Sequence, residues 1–235
     1  MQIDAFLPIV KLVGFSTYDL IRQFKKQTDF SGKIGHSGTL DPFASGLVIL
    51  LLGKATKLFS TMQHLEKEYF AAARLAYSST TLDIEGQLQP DKNTNYPTQM
   101  TLSKTLKQYE GTYNQSVPMF SAAKHQGQPL YKLARKKQIV TKTKKVNIRK
   151  LKIIVYKPPL VNISIVCHSG VYVRQLVVDI FQEHHLKTFL FSLERIRIGP
   201  FNSSQALMMN NWSEWSKYLL PLSFIPKEIY TKPHK

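Results

Sequence analysis

One short stretch of the sequence, GHSGTLDPF, combines a histidine, a serine, a threonine and an aspartate with two glycines, shortly before an apolar run. The carboxylate of Asp41 in this stretch could act as a nucleophile in covalent catalysis. The same pattern suits a turn or a helix cap, because Asp is a favoured cap residue and Pro42 fits the first helical position. His36 is open to the same two interpretations. Taken alone, the local sequence favours a structural role for both Asp41 and His36.

Two other segments could build a pocket for a flat ligand. Tyr69 lies in KEYFAAARLA, where the alanines after it would leave room above a strand. Tyr172 and Arg174 alternate across Val173, so in an extended segment both side chains would point to one face. Apolar residues surround Arg174, and a buried arginine requires a carboxylate partner. The structural alternatives are a core tyrosine and a surface arginine.

The charge of the chain predicts a polyanionic partner. Its 235 residues include 32 Lys and Arg against 15 Asp and Glu, a net charge of +17, which favours nucleic acid. An anionic membrane surface is the alternative, which the lack of a long amphipathic basic helix disfavours. Ten of the 21 residues from Lys132 to Lys152 are basic and none is acidic. This basic run, with Arg135, Lys136 and Lys137, predicts RNA contact, and a merely solvated face is the alternative.

Composition limits the remaining classes. A hydrophobic content of 43% predicts a substantial core. Cys167 is the only cysteine, which excludes a disulfide framework and a thiolate metal cluster. The N-terminal residues do not form a signal peptide, and the longest apolar run is too short to span a membrane. We therefore expect a soluble cytoplasmic protein.

The pattern of apolar residues predicts the elements that would position these side chains. A helix should begin after Ser16, which has Asp19 three residues later as in a capping box. A second, short helix is predicted in TLSKTLKQYEG, with Thr101 as its cap and Gly111 as its stop. Further elements are predicted in six segments: the strands GLVILLLG, KEYFAAARLAYSS and LERIRIGPF, the strand pair KLKIIVY and PLVNISIVCHS, and the amphipathic helix RQLVVDIFQEHH. Because helices and strands do not alternate regularly, we predict an α+β fold with a mainly antiparallel sheet.

Several segments, in their order along the chain, resemble the motifs of the TruB family of tRNA pseudouridine synthases. They are GHSGTLDPFASGLVILLLGKATKL, KEYFAAARLAYSSTTLDIEGQL, VPMFSAAKHQGQPLYKLAR, SGVYVRQLVVDI and LERIRIGPF. The similarity extends from about Phe6 to Phe201. It implies the pseudouridine synthase fold, with a mixed, mainly antiparallel sheet flanked by helices.

The resemblance also implies roles for individual residues. It makes Asp41 the catalytic aspartate, Tyr69 the tyrosine that stacks on the target uracil and serves proton transfer, and Arg174 the arginine that pairs with the aspartate. The positions implied to contact the substrate are His36, which fills the gap left by the flipped base, Tyr172 in the same pocket, Leu193 against the base, and Lys11 of the N-terminal motif. The family usually has Lys-Pro in that motif, and this chain has Leu12 after Lys11.

The implied reaction isomerises the T-loop uridine of tRNA, position 55, to pseudouridine. It involves neither net redox change nor hydrolysis, so we expect no cofactor and no metal. Whether the aspartate attacks the uracil ring or C1′ of the ribose remains open. A non-catalytic RNA-binding protein or tRNA folding chaperone on the same fold, and a synthase acting on ribosomal RNA, are the alternatives. The joint presence of Asp41, Tyr69 and Arg174 favours the enzyme.

The resemblance further predicts the domain organisation. Residues 1–201 would form the catalytic domain, with an RNA-binding insert at about 112–150. Residues 202–235 would form a short tail, because 34 residues are too few for the PUA-type RNA-binding domain that bacterial members often carry. We expect a monomer that binds the T-arm of tRNA.

Overall fold

The computed structural model describes residues 3–136 and 138–226 of the chain. Contacts between residues divide the chain into two compact units. The first unit comprises Met1–Tyr69 and Glu194–Lys235, and the second comprises Phe70–Leu193. The first unit is therefore discontinuous in sequence, because the chain leaves it once and returns.

The chain alternates irregularly between strands and helices. The strands are β1 (Ala5–Lys11), β2 (Ile34–His36), β3 (Ser45–Leu52), β4 (Lys67–Leu75), β5 (Tyr77–Ser79), β6 (Leu88–Pro90), β7 (Gly111–Ser116), β8 (Lys124–His125), β9 (Gln128–Pro129), β10 (Thr143–Lys157), β11 (Leu160–Cys167), β12 (Thr188–Ile198), β13 (Phe201–Asn202), β14 (Leu207–Met208) and β15 (Leu220–Pro221). The α-helices are α1 (Thr17–Thr28), α2 (Phe59–His64), α3 (Gln99–Tyr109), α4 (Leu130–Arg135) and α5 (Val173–Gln182). Short 3₁₀ segments occupy Gly53–Leu58, Ser203–Gln205, Trp212–Tyr218 and Leu222–Phe224.

The sheet of the first unit is centred on β1 and β3. These strands pair antiparallel over their whole length, from Ala5 opposite Leu52 to Lys11 opposite Gly46. Strand β2 pairs antiparallel with the end of β3, and the part of β12 that begins at Glu194 pairs parallel with its start. Almost every residue of β3 is buried, as its continuous apolar sequence predicted. This buried strand forms the base on which the loop before it stands.

The sheet of the second unit contains a long antiparallel hairpin. Strands β10 and β11 pair from Ile148 opposite Cys167 to Lys157 opposite Leu160, and β7 pairs antiparallel with the other edge of β10. Helix α5 buries one apolar face, as its periodicity predicted. Most strand pairs in the described ranges are antiparallel, and helices accompany the sheets, so the predicted α+β class is confirmed.

Local signals predicted some element boundaries and missed others. The capping box at Ser16 and Asp19 is present at the start of α1. Helix α3 begins one turn earlier than predicted, because Thr98 and not Thr101 is the cap: the Thr98 hydroxyl accepts the N–H of Thr101 at 3.1 Å. The extended conformation considered for Tyr172–Arg174 is wrong, because α5 already begins at Val173. None of the helices in the described ranges has the length and apolar character needed to cross a membrane.

Candidate active site

Asp41 lies at the tip of a turn between β2 and β3. The main-chain N–H of Ala44 donates to the carbonyl of Asp41 at 3.1 Å, and strand β3 begins one residue later. The local pattern therefore forms a turn and does not cap a helix. Asp41 is half-buried and Pro42 is exposed, whereas Phe43 and Ala44 are buried. We call residues 36–44 the Asp41 loop; its buried end anchors the part that presents the carboxylate.

A buried ammonium group supports the Asp41 loop from below. Lys11 is fully buried at the end of β1, and its Nζ donates to the carbonyl of Ala44 at 2.6 Å and to that of Leu12 at 2.9 Å. The carbonyl of Pro42 lies 3.5 Å from the same Nζ. Lys11, which was predicted to contact the substrate, thus binds the main chain of the loop that carries Asp41.

The start of α1 fixes the residues on either side of Asp41. The hydroxyl of Thr17 accepts the N–H of Leu40 at 3.0 Å and lies 3.4 Å from the carbonyl of the same residue. The N–H of Gly14 donates to the carbonyl of Pro42 at 2.8 Å. Main-chain groups immediately before and after the aspartate are therefore held by the segment that precedes and opens α1.

Arg195 is a supporting residue that the sequence interpretation missed. Its side chain is buried in β12, and its Nε, Nη1 and Nη2 donate to the carbonyls of Leu47, Thr39 and Gly38 at 2.6, 3.2 and 3.3 Å. Gly46 allows the main chains of β3 and β12 to lie close together here, because its φ is +108° and a Cβ there would clash with the main-chain oxygen of Arg195 and lie 2.6 Å from its main-chain nitrogen. The apolar residues of LERIRI were the available signal that Arg195 is buried, as the apolar neighbours of Arg174 were for that arginine.

His36 lies at the other end of the Asp41 loop. Its Nδ1 accepts the N–H of Gly38 at 3.2 Å, and its ring packs edge-to-face against Phe59 with centroids 6.3 Å apart. Burial lowers the pKa of the His36 imidazole, and the nearby Arg195 guanidinium lowers it further. The neutral imidazole is therefore favoured at neutral pH.

Tyr69 and Leu193 are buried strand residues. Along β4 the alternate residues Lys67, Tyr69, Ala71 and Ala73 are buried, as expected for one face of a strand. Leu193 lies in β12 and is also buried. Tyr69 is the last residue of the first segment of the first unit, and Leu193 is the last residue of the second unit. Contact of these two side chains with a uracil remains a prediction.

The second unit holds Arg174 in the first turn of α5. Its guanidinium is buried and forms an ion pair with Asp83, whose Oδ2 is 3.2 Å from Nη1. It also donates to the carbonyls of Thr81 at 2.7 Å and Phe120 at 3.0 Å. Asp83 thus supplies a carboxylate of the kind that a buried arginine requires. Pairing of Arg174 with Asp41 involves the other unit and remains a prediction.

Asp83 is itself held by a tight polar turn in the segment TLDIEG. Its Oδ1 accepts the N–H of Glu85 at 3.0 Å and the hydroxyl of Thr81. Its carbonyl accepts the hydroxyl of Ser79 at 2.5 Å. No role was assigned to Asp83 from the sequence. The ion pair shows that the turn orients the guanidinium of Arg174.

Gln115 clamps the residue that caps α5. The side chain of Gln115 is fully buried in β7; its Oε1 accepts the N–H of Tyr172 at 2.8 Å, and its Nε2 donates to the carbonyl of the same residue at 3.1 Å. The same Nε2 lies 2.6 Å from the hydroxyl of Tyr113. That hydroxyl donates to Asp179 at 3.4 Å, and burial raises the pKa of this aspartate. Sequence reasoning had no signal for this network, because its partners are distant along the chain.

The residues predicted to contact RNA backbone lie around the end of α4. Arg135 and Lys136 are exposed, and the guanidinium of Arg135 stands 5.7 Å from the ring centroid of Tyr131. Lys137 lies outside the described residues. Lys145, the third residue of β10, is also exposed. Exposure of this basic run is compatible with phosphate contact.

Solved structures share this fold. A chain of a crystal structure of a Cbf5–Nop10–Gar1 complex matches with a TM-score of 0.71 at 20% identity, over 92% of this chain and 60% of that one. A structure of an H/ACA RNP bound to a substrate RNA containing 2′-deoxyuridine matches with a TM-score of 0.67 at 18% identity, over 92% of this chain and 59% of that one. The chain thus spans about three fifths of those two proteins.

Sequence comparison identifies the family. The tRNA pseudouridine synthase B of Francisella philomiragia is 34% identical over 98% of this chain and 79% of its own length. The enzyme of the same name from Bacteroides fragilis is 35% identical over 87% of both chains. Residues 22–173 match the family described as TruB family pseudouridylate synthase (N terminal domain). Fold and sequence together define an isomerase of the pseudouridine synthase class. Within that class, the chain belongs to the TruB family.

Proposed function

We propose that the protein converts uridine 55 in the T-loop of tRNA to pseudouridine, with Asp41 as the nucleophile. The observation that supports this most strongly is the construction of the Asp41 loop. Two buried cations, Lys11 and Arg195, bind its main-chain carbonyls and leave the aspartate half-buried at the tip of the turn. A carboxylate presented by a rigid turn is what covalent attack requires.

The reaction is a rearrangement in which atoms balance without a second substrate. The Asp41 carboxylate attacks either C1′ of the ribose or the uracil ring, and the bond between C1′ and N1 breaks. The uracil then rotates, and a new bond forms between C5 and C1′. The proton on C5 is lost, N1 is protonated, and the carboxylate is released. Both routes give Asp41 the same role and the same product.

Three residues are proposed to receive the uracil after it leaves the folded T-loop. Extracting a stacked base costs a few kcal/mol, which new contacts must offset. Tyr69 would stack on the base and serve proton transfer, and Leu193 would pack against it. His36 would enter the space that the base leaves, and its neutral imidazole suits insertion among stacked bases.

Arg174 is proposed to pair with Asp41 when the active site is assembled, with Tyr172 in the same pocket. A guanidinium offers five donors, so it can bind Asp83 and main-chain carbonyls and still serve another carboxylate. Lys11 is proposed to act on the substrate through the backbone of the Asp41 loop, because its Nζ is buried beneath that loop.

The basic run is proposed to hold the T-arm while the base is extracted. We expect the protein to act in the cytoplasm as a monomer. Changing Arg135 and Lys136 together to Ala should weaken tRNA binding and lower its log–log salt slope by about 0.7 to 0.9 for each lost phosphate contact. Binding titrations at several salt concentrations measure this slope. An unchanged slope would identify the run as a solvated face.

The function is tested with purified protein and unmodified tRNA in which the uridines carry tritium at C5. Because C5 loses its proton, conversion releases one tritium per pseudouridine, and sequencing of the product locates the site. A transcript with cytidine at position 55 and a ribosomal RNA fragment are the matched controls. Tight tRNA binding without tritium release would instead indicate a non-catalytic RNA-binding protein, and release from the ribosomal fragment alone would change the substrate.

A further inference from the structure

A second basic surface lies in the first unit, in segments to which the proposed chemistry assigns no role. It is a groove of about 790 Å³ between the end of α1, the loop before β2, the 3₁₀ segment Gly53–Leu58 and Trp215. We call it the basic groove. The lining residues used below are Asp29, Phe30, Lys33, Lys54, Lys57 and Trp215.

The basic groove carries an excess of positive charge. Three lysines line it, and Asp29 is the one acidic side chain among its lining residues in the described part of the chain. Lys54 already has a partner, because its Nζ lies 3.3 Å from Asp4. Lys33 and Lys57 are exposed, and neither forms an ion pair within the described ranges, although the charge of Lys57 helps to lower the pKa of the nearby Asp4. Two cations are therefore available to an anionic ligand.

The groove also contains a fixed aromatic side chain. Trp215 is half-buried, and its indole meets the buried ring of Phe24 edge-to-face at 5.2 Å and that of Phe30 at 6.2 Å. Packing against two rings fixes the orientation of the indole. Aromatic side chains beside basic ones are the combination that binds unpaired nucleotides, because every base has a stacking face and every phosphate a charge.

The backbone holds the two basic segments together. The N–H of Gly53 donates to the carbonyl of Lys33 at 2.9 Å, which joins the loop before β2 to the segment that carries Lys54 and Lys57. Gly53 has a φ of +58°, and a Cβ at this position would meet the main-chain carbonyl of Ile3. A glycine is therefore needed where this segment passes close to the main chain of Ile3. The lysines thus project from a fixed wall.

We infer that the basic groove binds an unpaired nucleotide of the tRNA substrate, separate from the uridine that reacts. Lys33 and Lys57 bind its phosphates, and Trp215 packs against its base. The inference rests on the proposed function only in taking tRNA as the polyanion. Charge and an aromatic wall together favour a nucleic acid, because a protein or lipid anion would use the lysines without needing the indole.

The test compares two double variants by equilibrium binding. Lys33→Ala with Lys57→Ala removes both available cations of the groove. Lys25→Ala with Lys26→Ala removes the same charge from exposed positions in the last turn of α1 that do not line the groove. Both are made in the Asp41→Asn background and titrated with unmodified tRNA. The groove variant should bind about tenfold more weakly than the control, with a log–log salt slope lower by about 1.4, or 0.7 for each phosphate of a single strand. Equal affinities and slopes in the two variants would overturn the inference.

Tryptophan fluorescence gives an independent readout. The chain has two tryptophans, and Trp212 is buried, so Trp215 should report binding. Quenching on addition of tRNA should be strong in the parent protein and largely lost in Trp215→Phe, which retains a ring for packing. Quenching that persists in Trp215→Phe would exclude stacking on this residue. Failure of the proposed function would appear separately, as a parent protein that binds tRNA but releases no tritium.

Discussion

Replacing Arg195 by lysine tests whether the Asp41 loop depends on one buried guanidinium. The substitution keeps the positive charge but replaces three donors in a planar fork by one ammonium group. The three carbonyls that the fork reaches belong to Leu47, Thr39 and Gly38. A lysine can keep the nearest of them, which lies at 2.6 Å, and loses the two on the Asp41 loop.

The size of the effect follows from those two lost hydrogen bonds. Hydrogen bonds to charged groups contribute about 1.5 to 3 kcal/mol each. Because the two distances are long, at 3.2 and 3.3 Å, we take the lower end of that range. The free energy of unfolding should therefore fall by about 3 kcal/mol. The loop should also lose its fixed position, and a misplacement of about 1 Å costs about a hundredfold in rate.

The same strand supplies the matched control. Arg197 pairs with Glu66 at 2.7 Å and Glu68 at 3.0 Å, and its side chain is about a quarter exposed. Exposed ion pairs contribute about 0.2 to 1 kcal/mol, so Arg197→Lys should lose less than about 1 kcal/mol. Urea unfolding and single-turnover tritium release would be measured for both variants. If Arg195→Lys loses no more stability and no more rate than Arg197→Lys, the supporting role is refuted.

Substitutions at three further positions test other parts of the candidate site. Asp41→Asn should abolish tritium release while tRNA binding stays close to that of the parent, and product formed free of parent enzyme would contradict the nucleophile. Gln115→Leu leaves both main-chain groups of Tyr172 without their partner, so the free energy of unfolding should fall by about 2 kcal/mol and kcat should fall more than KM rises. Gln115→Glu should recover little of this stability or activity, since it restores only the acceptor for the N–H of Tyr172. The pKa of His36 is lowered in the folded protein, so as the pH falls the unfolded chain binds a proton at His36 before the folded protein does. The free energy of unfolding should therefore decrease as the pH falls below about 6.5. Urea unfolding between pH 5 and 7.5 should show a smaller loss in His36→Gln than in the parent.

Elements defined by neighbouring residues were predictable from the sequence. The capping box at Ser16, the apolar strand β3 and the apolar face of α5 each depend on residues a few positions apart, and each is present. Errors arose where two local signals competed. Thr98 and Thr101 are both acceptable caps, and the helix begins at the earlier one. Tyr172 is extended, but Arg174 already belongs to α5.

The residues that hold the candidate site in place were less predictable than those proposed to react. Motif resemblance named Asp41 and Arg174, but it did not name Arg195, Gln115 or Asp83. Their partners are main-chain carbonyls and a buried guanidinium, and the contacts join residues 148, 57 and 91 positions apart in sequence. A periodicity of side chains reports which face is buried, and it contains no information about such distant partners.

The Asp41 loop shows why buried cations are used where apolar packing would be less costly. Several of its carbonyls point into the unit, where strand pairing cannot reach them, and an unsatisfied buried carbonyl is strongly unfavourable. Lys11 and Arg195 satisfy these carbonyls with charge-assisted hydrogen bonds, which are stronger than neutral ones. An apolar side chain could fill the same volume, but it would leave the carbonyls unpaired and the turn free to move. The desolvation cost of two buried cations is thus offset by hydrogen bonds that also fix the one carboxylate proposed to attack the substrate. If this account is correct, a substitution at either cation should lower the rate of the chemical step in protein that remains folded.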